Sequence, residues 1–450
     1  MARQDLAQSP DFRLDLSWPP TPTGGGIPLL DASVGRLSIS IQDTPVTAYQ
    51  SDKGDIGVEL TLPLYSLAEW ITSNWWPLLY EPRKTDFERK GEFDGDEDYG
   101  FRSRHWLGFA RSGFALPDLW FLPAGDEIDL VAYGRYLRHA RLTFVNSATA
   151  SAPTEDVRNA LFLFVEDVLA KLSSQGFGDT AAHENWENVC NTSEDEEGYC
   201  RLIGSLGLSP YEQHEQVDRI IDVLTGHTPA SLLTDLCQVS DDNTLPSLAR
   251  LTEQVYALLP KTREINIEPL AHIELLPRSG LPPWQLGKQA AKRARASFGI
   301  AAQDAEGGNA FFEKLGIDPS EPDVAGLEGS AAARLSGGMK RDDRIMHMAL
   351  GEPQLPRRRF AAARAVFLGW ACGDHSSRLI TGARTRDQQM SRAFAAELLA
   401  PIDYIRRHAG GPAISMFRVE EIATDLGVSP AVVRWQARDN NLHVVDTASW

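Results

Sequence analysis

Apolar and polar positions follow different periods along the chain, and these periods predict its elements. In residues 36–41 and 56–62 polar and apolar side chains alternate, which predicts two half-buried strands. Residues 64–79 form an aromatic-rich stretch with helical spacing, and residues 127–133 again show the alternation of a strand. We therefore expect a mixed-sheet, α+β domain rich in Trp over residues 35–147.

The segments on either side of this domain have other patterns. Residues 1–34 contain turn formers and no period, which predicts a flexible arm. Small and polar residues at 148–155 predict a linker. Successive amphipathic stretches, separated by Pro or polar breaks, then predict an all-α middle domain over residues 154–262.

Two helices are predicted at the centre of a third domain, residues 281–450. Residues 360–372 are almost wholly apolar or small and contain no Pro, which predicts a buried helix. Residues 386–399 place apolar side chains at helical spacing, and Pro401 ends the segment. We expect these two helices to face each other in a core.

A helix-turn-helix-like pair is predicted over residues 419–440, with Pro430 at the first position of the second helix. If the pair binds DNA, this second helix enters the major groove, where the side chains able to contact DNA are Arg434, Gln436 and Arg438. The alternative hypothesis is that the pair packs on the core of its own domain.

Two short motifs lie on the predicted core helices. Arg359, Phe360 and Ala363 belong to the first motif, and residues 394–401 read FAAELLAP. Together they resemble the ImmA/IrrE family of metallopeptidase-like proteins, whose pattern is roughly R-F-x-x-A-H-E-x-x-H followed by an acidic residue shortly before F-A-x-x-L-L-x-P. The resemblance extends over about residues 281–440 and implies a zincin-like, mostly helical C-terminal domain.

The resemblance also implies where a zinc site would lie. In the family two His one turn apart bind Zn²⁺, a Glu beside the first His acts as general base, and a carboxylate from the next helix completes the site. These positions fall on Arg364, Ala365 and Leu368, with Asp387 as the candidate carboxylate. A guanidinium repels a metal ion, and Ala and Leu neither bind one nor transfer a proton. We therefore expect a catalytically inactive pseudo-peptidase that uses neither zinc nor another cofactor.

Weak metal-ligand candidates follow the first core helix. They are Cys372, Asp374 and His375, but their C-x-D-H spacing is not a recognised ligand pattern. A zinc peptidase with rebuilt ligands is one hypothesis that these residues leave open. The other is a buried Cys beside a loop His, with no role in metal binding.

Two parts of the chain are candidates for binding a partner. Arg364 either holds a carboxylate of a ligand or pairs with Asp387 or Glu397 and fills the former metal position. The tryptophan-rich region is either core or a recognition surface. In the second case its polar and aromatic candidates are Arg102, Arg104, His105 and Trp106.

Charge and composition narrow the class of protein. The 44 Lys and Arg against 62 Asp and Glu give a net charge of −18, and the acidic excess lies in residues 1–280, whereas residues 281–450 are nearly neutral and rich in Arg. No apolar run approaches the roughly 18 residues of a membrane span, and the N-terminus has no signal-peptide pattern. The four Cys are too few for a disulfide framework. We expect a soluble, cytoplasmic protein without membrane association.

These observations favour a bacterial-type protein that binds a protein partner in regulation or in defence against phage and other mobile elements. This expectation follows from the family resemblance once catalysis is lost. The alternatives are a DNA-binding regulator that uses the helix-turn-helix-like pair, and the zinc peptidase with rebuilt ligands.

Overall fold

The computed structural model describes residues 11–19, 25–83, 99–226, 228–241, 244–277, 281–320, 322–323, 334–371 and 377–445. The chain divides into two compact units, Met1–His214 and Glu215–Trp450. Both units combine helices with small sheets, so the fold is mixed α/β. The predicted combination of helices and sheets is confirmed at this level.

The N-terminal unit is built from short antiparallel strands covered by helices. Its strands are β1 (Phe12–Ser17), β2 (Val34–Ile41), β3 (Thr44–Pro45), β4 (Tyr49–Ser51), β5 (Ile56–Gly57), β6 (Leu60–Pro63), β7 (Asp118–Pro123), β8 (Glu127–Tyr133), β9 (Tyr136–Leu137), β10 (Leu142–Phe144) and β11 (Ala148–Pro153). Its helices are α1 (Pro28–Ala32), α2 (Tyr65–Ser73), α3 (Trp75–Tyr80), α4 (Tyr99–His105), a 3-10 helix (Leu107–Arg111), α5 (Thr154–Ser174), α6 (Ala181–Asn191) and α7 (Glu194–Ser205). The sheets have the orders β1-β2-β3 with β6 also beside β2, β5-β4-β10-β9, and β11-β8-β7.

Three predictions for this unit are wrong in detail. The arm predicted over residues 1–34 contains β1, which pairs with β2 along its whole length and buries Phe12 completely. Its apolar residues alternate with polar ones, and the Pro and Gly that follow conceal this period. The predicted linker is β11, paired with β8, and the strand predicted over 56–62 is two strands in different sheets.

Helix α5 belongs to the N-terminal core and not to a separate helical domain. Its buried side chains, among them Val157, Phe164 and Val168, join the cluster that contains Leu14 of β1 and Trp75 of α3. Helices α5 to α7 all lie in the first unit, so the predicted domain over residues 154–262 is divided between the two units. The physical reason is that an amphipathic helix buries its apolar stripe against any apolar face, including that of a sheet.

The C-terminal unit surrounds one four-stranded sheet with helices. Its helices are α8 (Glu215–Thr225), α9 (Ala230–Cys237), α10 (Leu245–Leu258), 3-10 helices at Leu259–Lys261 and Glu268–Leu270, α11 (Pro283–Ser297), α12 (Gly307–Lys314), α13 (Leu355–Ala371), α14 (Arg386–Leu399), α15 (Ile402–Ala409), α16 (Met416–Leu426) and α17 (Pro430–Asp439). Its strands are β12 (Glu264–Asn266), β13 (Leu335–Asp342), β14 (Ile345–Leu350), β15 (Ser377–Thr381), β16 (Ala413–Ser415) and β17 (His443–Val445). The antiparallel sheet has the order β12-β14-β13-β15, and β16 pairs with β17 in parallel.

The two predicted core helices are confirmed as α13 and α14. The rings of Phe367 and Phe394 meet between them, with 5.1 Å between the centroids. Both side chains are at most 2% exposed. The predicted pair of helices over residues 419–440 is also present, as α16 and α17.

Helices α11 and α14 pack closely at Gly287. A Cβ atom at this position would lie 2.3 Å from the carbonyl oxygen of Met390 and 2.8 Å from Cβ of Ala393. Both neighbours are rigid parts of α14, so they cannot move away as a flexible side chain could. The absence of a side chain at Gly287 therefore sets the distance between the two helices.

We expect Gly287→Ala to destabilise the chain by about 1–3 kcal/mol, because the added methyl group forces the helices apart. Thermal unfolding of the full chain measures the effect. Gly198→Ala is a matched control, since Gly198 also lies inside a helix but has nothing within 4 Å of an added Cβ. This control should be neutral or slightly stabilising. Equal unfolding temperatures for Gly287→Ala and the wild-type chain would contradict the predicted clash.

Candidate functional site

The positions implied for zinc chemistry lie on the buried side of α13. Arg364 is 5% exposed, and both Ala365 and Leu368 are fully buried. Helix α13 carries these residues into the core because, beyond the buried Arg358 and Arg359 in its first turns, its other buried positions are Ala, Val, Phe and Gly. A guanidinium therefore occupies the interior where the family resemblance implies a metal ligand.

The guanidinium of Arg364 donates to neutral acceptors. Its Nη2 lies 2.6 Å from the carbonyl oxygen of Thr381 and 2.6 Å from Oε1 of Gln388. Its Nε lies 3.1 Å from Oγ of Ser391. Within the described residues it forms no ion pair, so the prediction that it pairs with Asp387 or Glu397 is wrong. Those carboxylates have other partners on neighbouring elements, as described below.

The electrostatic surroundings oppose a further cation at this position. Burial, with added repulsion from Arg392, lowers the pKa of Arg364 well below its ordinary value. Burial and then repulsion from Arg384 lower the pKa of Arg392 to about 10. A divalent ion beside the buried guanidinium of Arg364 and the half-buried one of Arg392 would be repelled by both. The residues present therefore do not fit a zinc ion.

The same network closes the outer edge of strand β15. One side of β15 pairs with β13, and on the other side no strand within the described residues pairs with the polar groups of alternate residues 377, 379 and 381. Helix α9 supplies two of the missing partners. Ser231 Oγ donates to the carbonyl oxygen of Ser377 at 2.7 Å, and the amide of Leu379 donates to Asp235 Oδ2 at 2.9 Å.

Helices α13 and α14 supply the remaining partners of this edge. Gln388 Nε2 donates to the carbonyl oxygen of Leu379 at 2.8 Å, and the amide of Thr381 donates to Gln388 Oε1 at 3.3 Å. Arg364 donates to the carbonyl oxygen of Thr381. Side chains thus satisfy the groups through which an exposed edge strand would pair with another chain.

Asp235 anchors the network and was not predicted. It is 1% exposed, and Arg378 donates to both of its oxygens, from Nε at 2.8 Å and from Nη2 at 2.9 Å. Arg378 also bridges to Asp387 through Nη1 at 2.8 Å. The sequence contained one signal, because Asp235 falls among the buried positions Leu232, Leu233, Leu236 and Cys237 of α9. A carboxylate on the apolar face of a helix requires a buried partner.

Cys372, Asp374 and His375 lie outside the described residues, so a rebuilt metal site stays a prediction. Within the described residues no three His, Cys, Asp or Glu side chains are grouped as a metal site.

Two of the predicted polar residues of the N-terminal unit, Arg104 and His105, form a network with the buried Glu81. His105 is fully buried, with Nε2 at 3.1 Å from Glu81 Oε2 and Nδ1 at 2.9 Å from the carbonyl oxygen of Phe121. Arg104 donates to both oxygens of Glu81, at 2.7 and 2.8 Å. Burial alone would raise the pKa of Glu81, but the hydrogen bonds from His105 and Arg104 outweigh it and lower the pKa to about 2. The network ties α4 to the end of α3 and to β7.

Trp106 is held in the same region by packing. Its indole donates to Asp118 Oδ1 at 2.6 Å and stacks on Trp120 with 5.7 Å between the ring centroids. The guanidinium groups of Arg102 and Arg111 lie 5.5 and 5.1 Å from its ring. Trp70, Trp75, Trp76 and Trp120 are all buried. The core interpretation of the tryptophan-rich region fits these contacts, and the buried His105 has no surface to offer to a partner.

One of the three predicted DNA contacts is wrong. Gln436 is 2% exposed and donates to Glu397 Oε2 at 2.9 Å and to the carbonyl oxygen of Ala400 at 3.0 Å. Burial raises the pKa of Glu397, although Gln436 and nearby lysines act against that shift. Gln436 therefore fixes α17 on α14 and does not face solvent. Arg434 is half-buried and Arg438 is exposed.

No protein-family model matches the chain, and the comparisons with curated proteins and with solved structures return no match either. Within the described residues no helix has both the length and the apolar character needed to cross a membrane. The function must therefore be argued from the geometry of the chain itself.

Asp235→Ala should destabilise the C-terminal unit by about 3–5 kcal/mol, because it leaves Arg378 buried without its bidentate partner and the amide of Leu379 without an acceptor. Chemical denaturation of the full chain, followed by circular dichroism, measures the loss. Asp222→Ala is the control, since Asp222 lies on the exposed side of α8. It should change the free energy of unfolding by less than about 0.5 kcal/mol. Equal effects of the two substitutions would contradict the anchoring role of Asp235.

The stability of the N-terminal unit should depend on pH through Glu81. Its pKa in the folded chain, about 2, lies below the ordinary value of 4.5. The carboxylate therefore stabilises the fold above about pH 4.5, and this contribution is lost as the pH falls through the window towards about 2. Glu81→Gln removes the titration, so the variant should lose less stability than the wild-type chain between about pH 5 and pH 3.

Thermal unfolding across this pH range compares the two chains. The exposed Glu187→Gln in α6 serves as control and should follow the wild-type curve. If the Glu81→Gln variant also followed the wild-type curve, Arg104 and His105 would not be holding the Glu81 carboxylate in its charged form.

Proposed function

We propose that this chain is a catalytically inactive, ImmA/IrrE-like protein that acts by binding a protein partner, in regulation or in defence against phage and other mobile elements. The motif resemblance on α13 and α14 supports the family assignment. The assignment to a regulatory or defence role rests on that resemblance together with the loss of catalytic groups.

Arg364 is the observation that carries the proposal. Hydrolysis by zinc requires neutral or anionic ligands around the ion, a general base, and access for substrate. At the implied ligand position the chain has a buried cation whose hydrogen bonds go to Thr381, Gln388 and Ser391. Ala365, where the general base would stand, has no group that can accept a proton.

The closed edge of β15 is a second support. A peptide that binds to a sheet by strand addition needs free amide and carbonyl groups on the edge strand. The free groups of β15 are already hydrogen-bonded to side chains of other elements, namely those of Ser231, Asp235, Gln388 and Arg364. The partner is therefore expected to bind a surface other than the pseudo-active site, and Arg364 acts as a structural plug instead of a ligand anchor.

The DNA-binding alternative has less support. Gln436 is buried, and residues 413–445, which contain α16 and α17, carry three Arg against four Asp and Glu. A DNA-binding surface normally carries a clear excess of positive charge.

The zinc peptidase with rebuilt ligands depends on Cys372, Asp374 and His375. Metal analysis and a hydrolysis assay test this alternative directly.

The test combines metal analysis, a hydrolysis assay and partner capture with the full chain. We expect the purified chain to contain no stoichiometric zinc and to show no chelator-sensitive hydrolysis of unfolded protein substrates. A protein from the native host should bind it saturably in a defined ratio. Chelator-sensitive hydrolysis by the wild-type chain, lost in His375→Ala, would overturn the proposal.

A restored motif gives a further prediction. The variant Arg364→His, Ala365→Glu, Leu368→His should take up no zinc, because it removes the hydrogen bond from Arg364 to the β15 edge and introduces polar groups into a packed core. Atomic absorption measures the metal and thermal unfolding measures the fold. A folded variant that binds one zinc ion would show that the network does not exclude a metal site.

A further inference from the structure

Helix α17 has one buried and one outward face. Its inward side chains are Val432, Val433, Gln436 and Ala437, all at most 6% exposed. At 100° per residue, positions 431, 434, 435 and 438 fall together on the opposite side. This outward face, defined here as Arg434, Trp435 and Arg438, is placed on a rigid support because Gln436 bonds α17 to α14 and β17 pairs with β16.

The indole of Trp435 is the apolar centre of this face. Trp435 is 50% exposed, whereas several other tryptophans of the chain are buried. A half-exposed indole on a fixed helix leaves part of its apolar area available to a partner, and tryptophan is among the residues most enriched at the energetic centres of protein interfaces.

The two arginines of the face are not compensated. Among the described residues neither Arg434 nor Arg438 forms an ion pair, whereas Arg418 on the neighbouring α16 is paired with Glu421 at 2.7 Å. Nε of Arg434 is buried, with no hydrogen-bond partner in the described part of the chain. Because residues four apart on a helix are neighbours, Arg434 and Arg438 project from the same side of α17, beside the position of Trp435.

We propose that the outward face of α17 is the docking surface for an acidic segment of a protein partner, in which two carboxylates flank an apolar side chain. This inference rests on the proposed function and names the surface that it uses. Each guanidinium can hold a carboxylate through two parallel hydrogen bonds, and the indole covers the apolar side chain between them. The positive charge of the face complements the negative charge of such a segment.

The surroundings favour an acidic protein segment over DNA. Glu420, Glu421 and Asp425 on α16 and Asp439 on α17 give this pair of helices four acidic residues against three Arg, which disfavours the extended contact that a phosphate backbone would need. The first turn of α17, with Pro430 and Ala431, offers no side-chain donor to base edges. A short acidic segment needs only the two arginines and the indole.

Selection from a displayed library of random short peptides tests the proposal with the full chain. We expect the selected peptides to be rich in Asp and Glu around an apolar residue. Their affinity, measured by fluorescence polarisation, should fall by about tenfold or more for Trp435→Ala and for Arg438→Glu. Trp284→Ala is the matched control, because Trp284 is also about half exposed, at 49%, and lies in the same unit. Thermal unfolding of each variant verifies that it is folded.

Charge reversal gives a second, independent readout. Replacing one acidic residue of a selected peptide by Lys should weaken its binding to the wild-type chain and restore part of its binding to Arg438→Glu. Peptides that bind all four proteins equally would overturn the inference. So would tight, salt-dependent binding of duplex DNA that is lost in Arg438→Glu while no acidic peptide is selected.

The two proposals can fail separately. If the partner captured from the native host binds Trp435→Ala and Arg438→Glu as well as the wild-type chain, the docking surface is wrong and the protein-binding function stands. If the wild-type chain hydrolyses substrates in a zinc-dependent manner, the proposed function is wrong whatever α17 binds.

Discussion

The C-terminal unit depends on satisfying one edge of a buried strand with side chains instead of with another strand. Each buried main-chain group without a partner would cost about 1–3 kcal/mol, so five open groups on β15 would remove much of the stability of a typical domain. Asp235, Gln388 and Arg364 converge on this edge from three different helices. The positions of α9, α13 and α14 around the sheet are therefore coupled by polar contacts as well as by apolar packing.

Buried arginines extend the same principle through the unit. Most hydrogen bonds of the buried arginines go to main-chain carbonyl groups. Among the described residues of the C-terminal unit, six arginines are less than 9% exposed: Arg295, Arg358, Arg359, Arg364, Arg378 and Arg386. Arg359, for example, donates to the carbonyl oxygens of Leu426 and Gly427, which are the unsatisfied end of α16. The Arg-rich composition of this part of the chain therefore describes its interior as much as its surface. A count of basic residues is consequently a poor guide to nucleic-acid binding here.

The sequence predicted the local elements better than their partners. Helices α13 and α14 followed from apolar spacing, which is a property of neighbouring residues. The bond between Asp235 and Arg378 did not, because the two residues are far apart in sequence and only the packing of α9 on β15 brings them together. Gln436 was predictable in principle, since it follows Val432 and Val433 at helical spacing and so falls on the buried face. In residues 12–17 the alternation of polar and apolar residues typical of a strand was clear. The turn formers beside it nevertheless led to the prediction of an arm.

The contacts of Arg364 also limit how this chain can change over time. Replacement of Arg364 by a residue without a hydrogen-bond donor deprives the carbonyl oxygen of Thr381 and the side-chain oxygen of Gln388 of a donor, with no new function gained. A metal ligand introduced alone at Ala365 or Leu368 would enter a packed, cationic interior and would be selected against for the same reason. The site can be rebuilt only by several substitutions made together, so stepwise adaptation is directed to the surface helices, where each change is tolerated on its own.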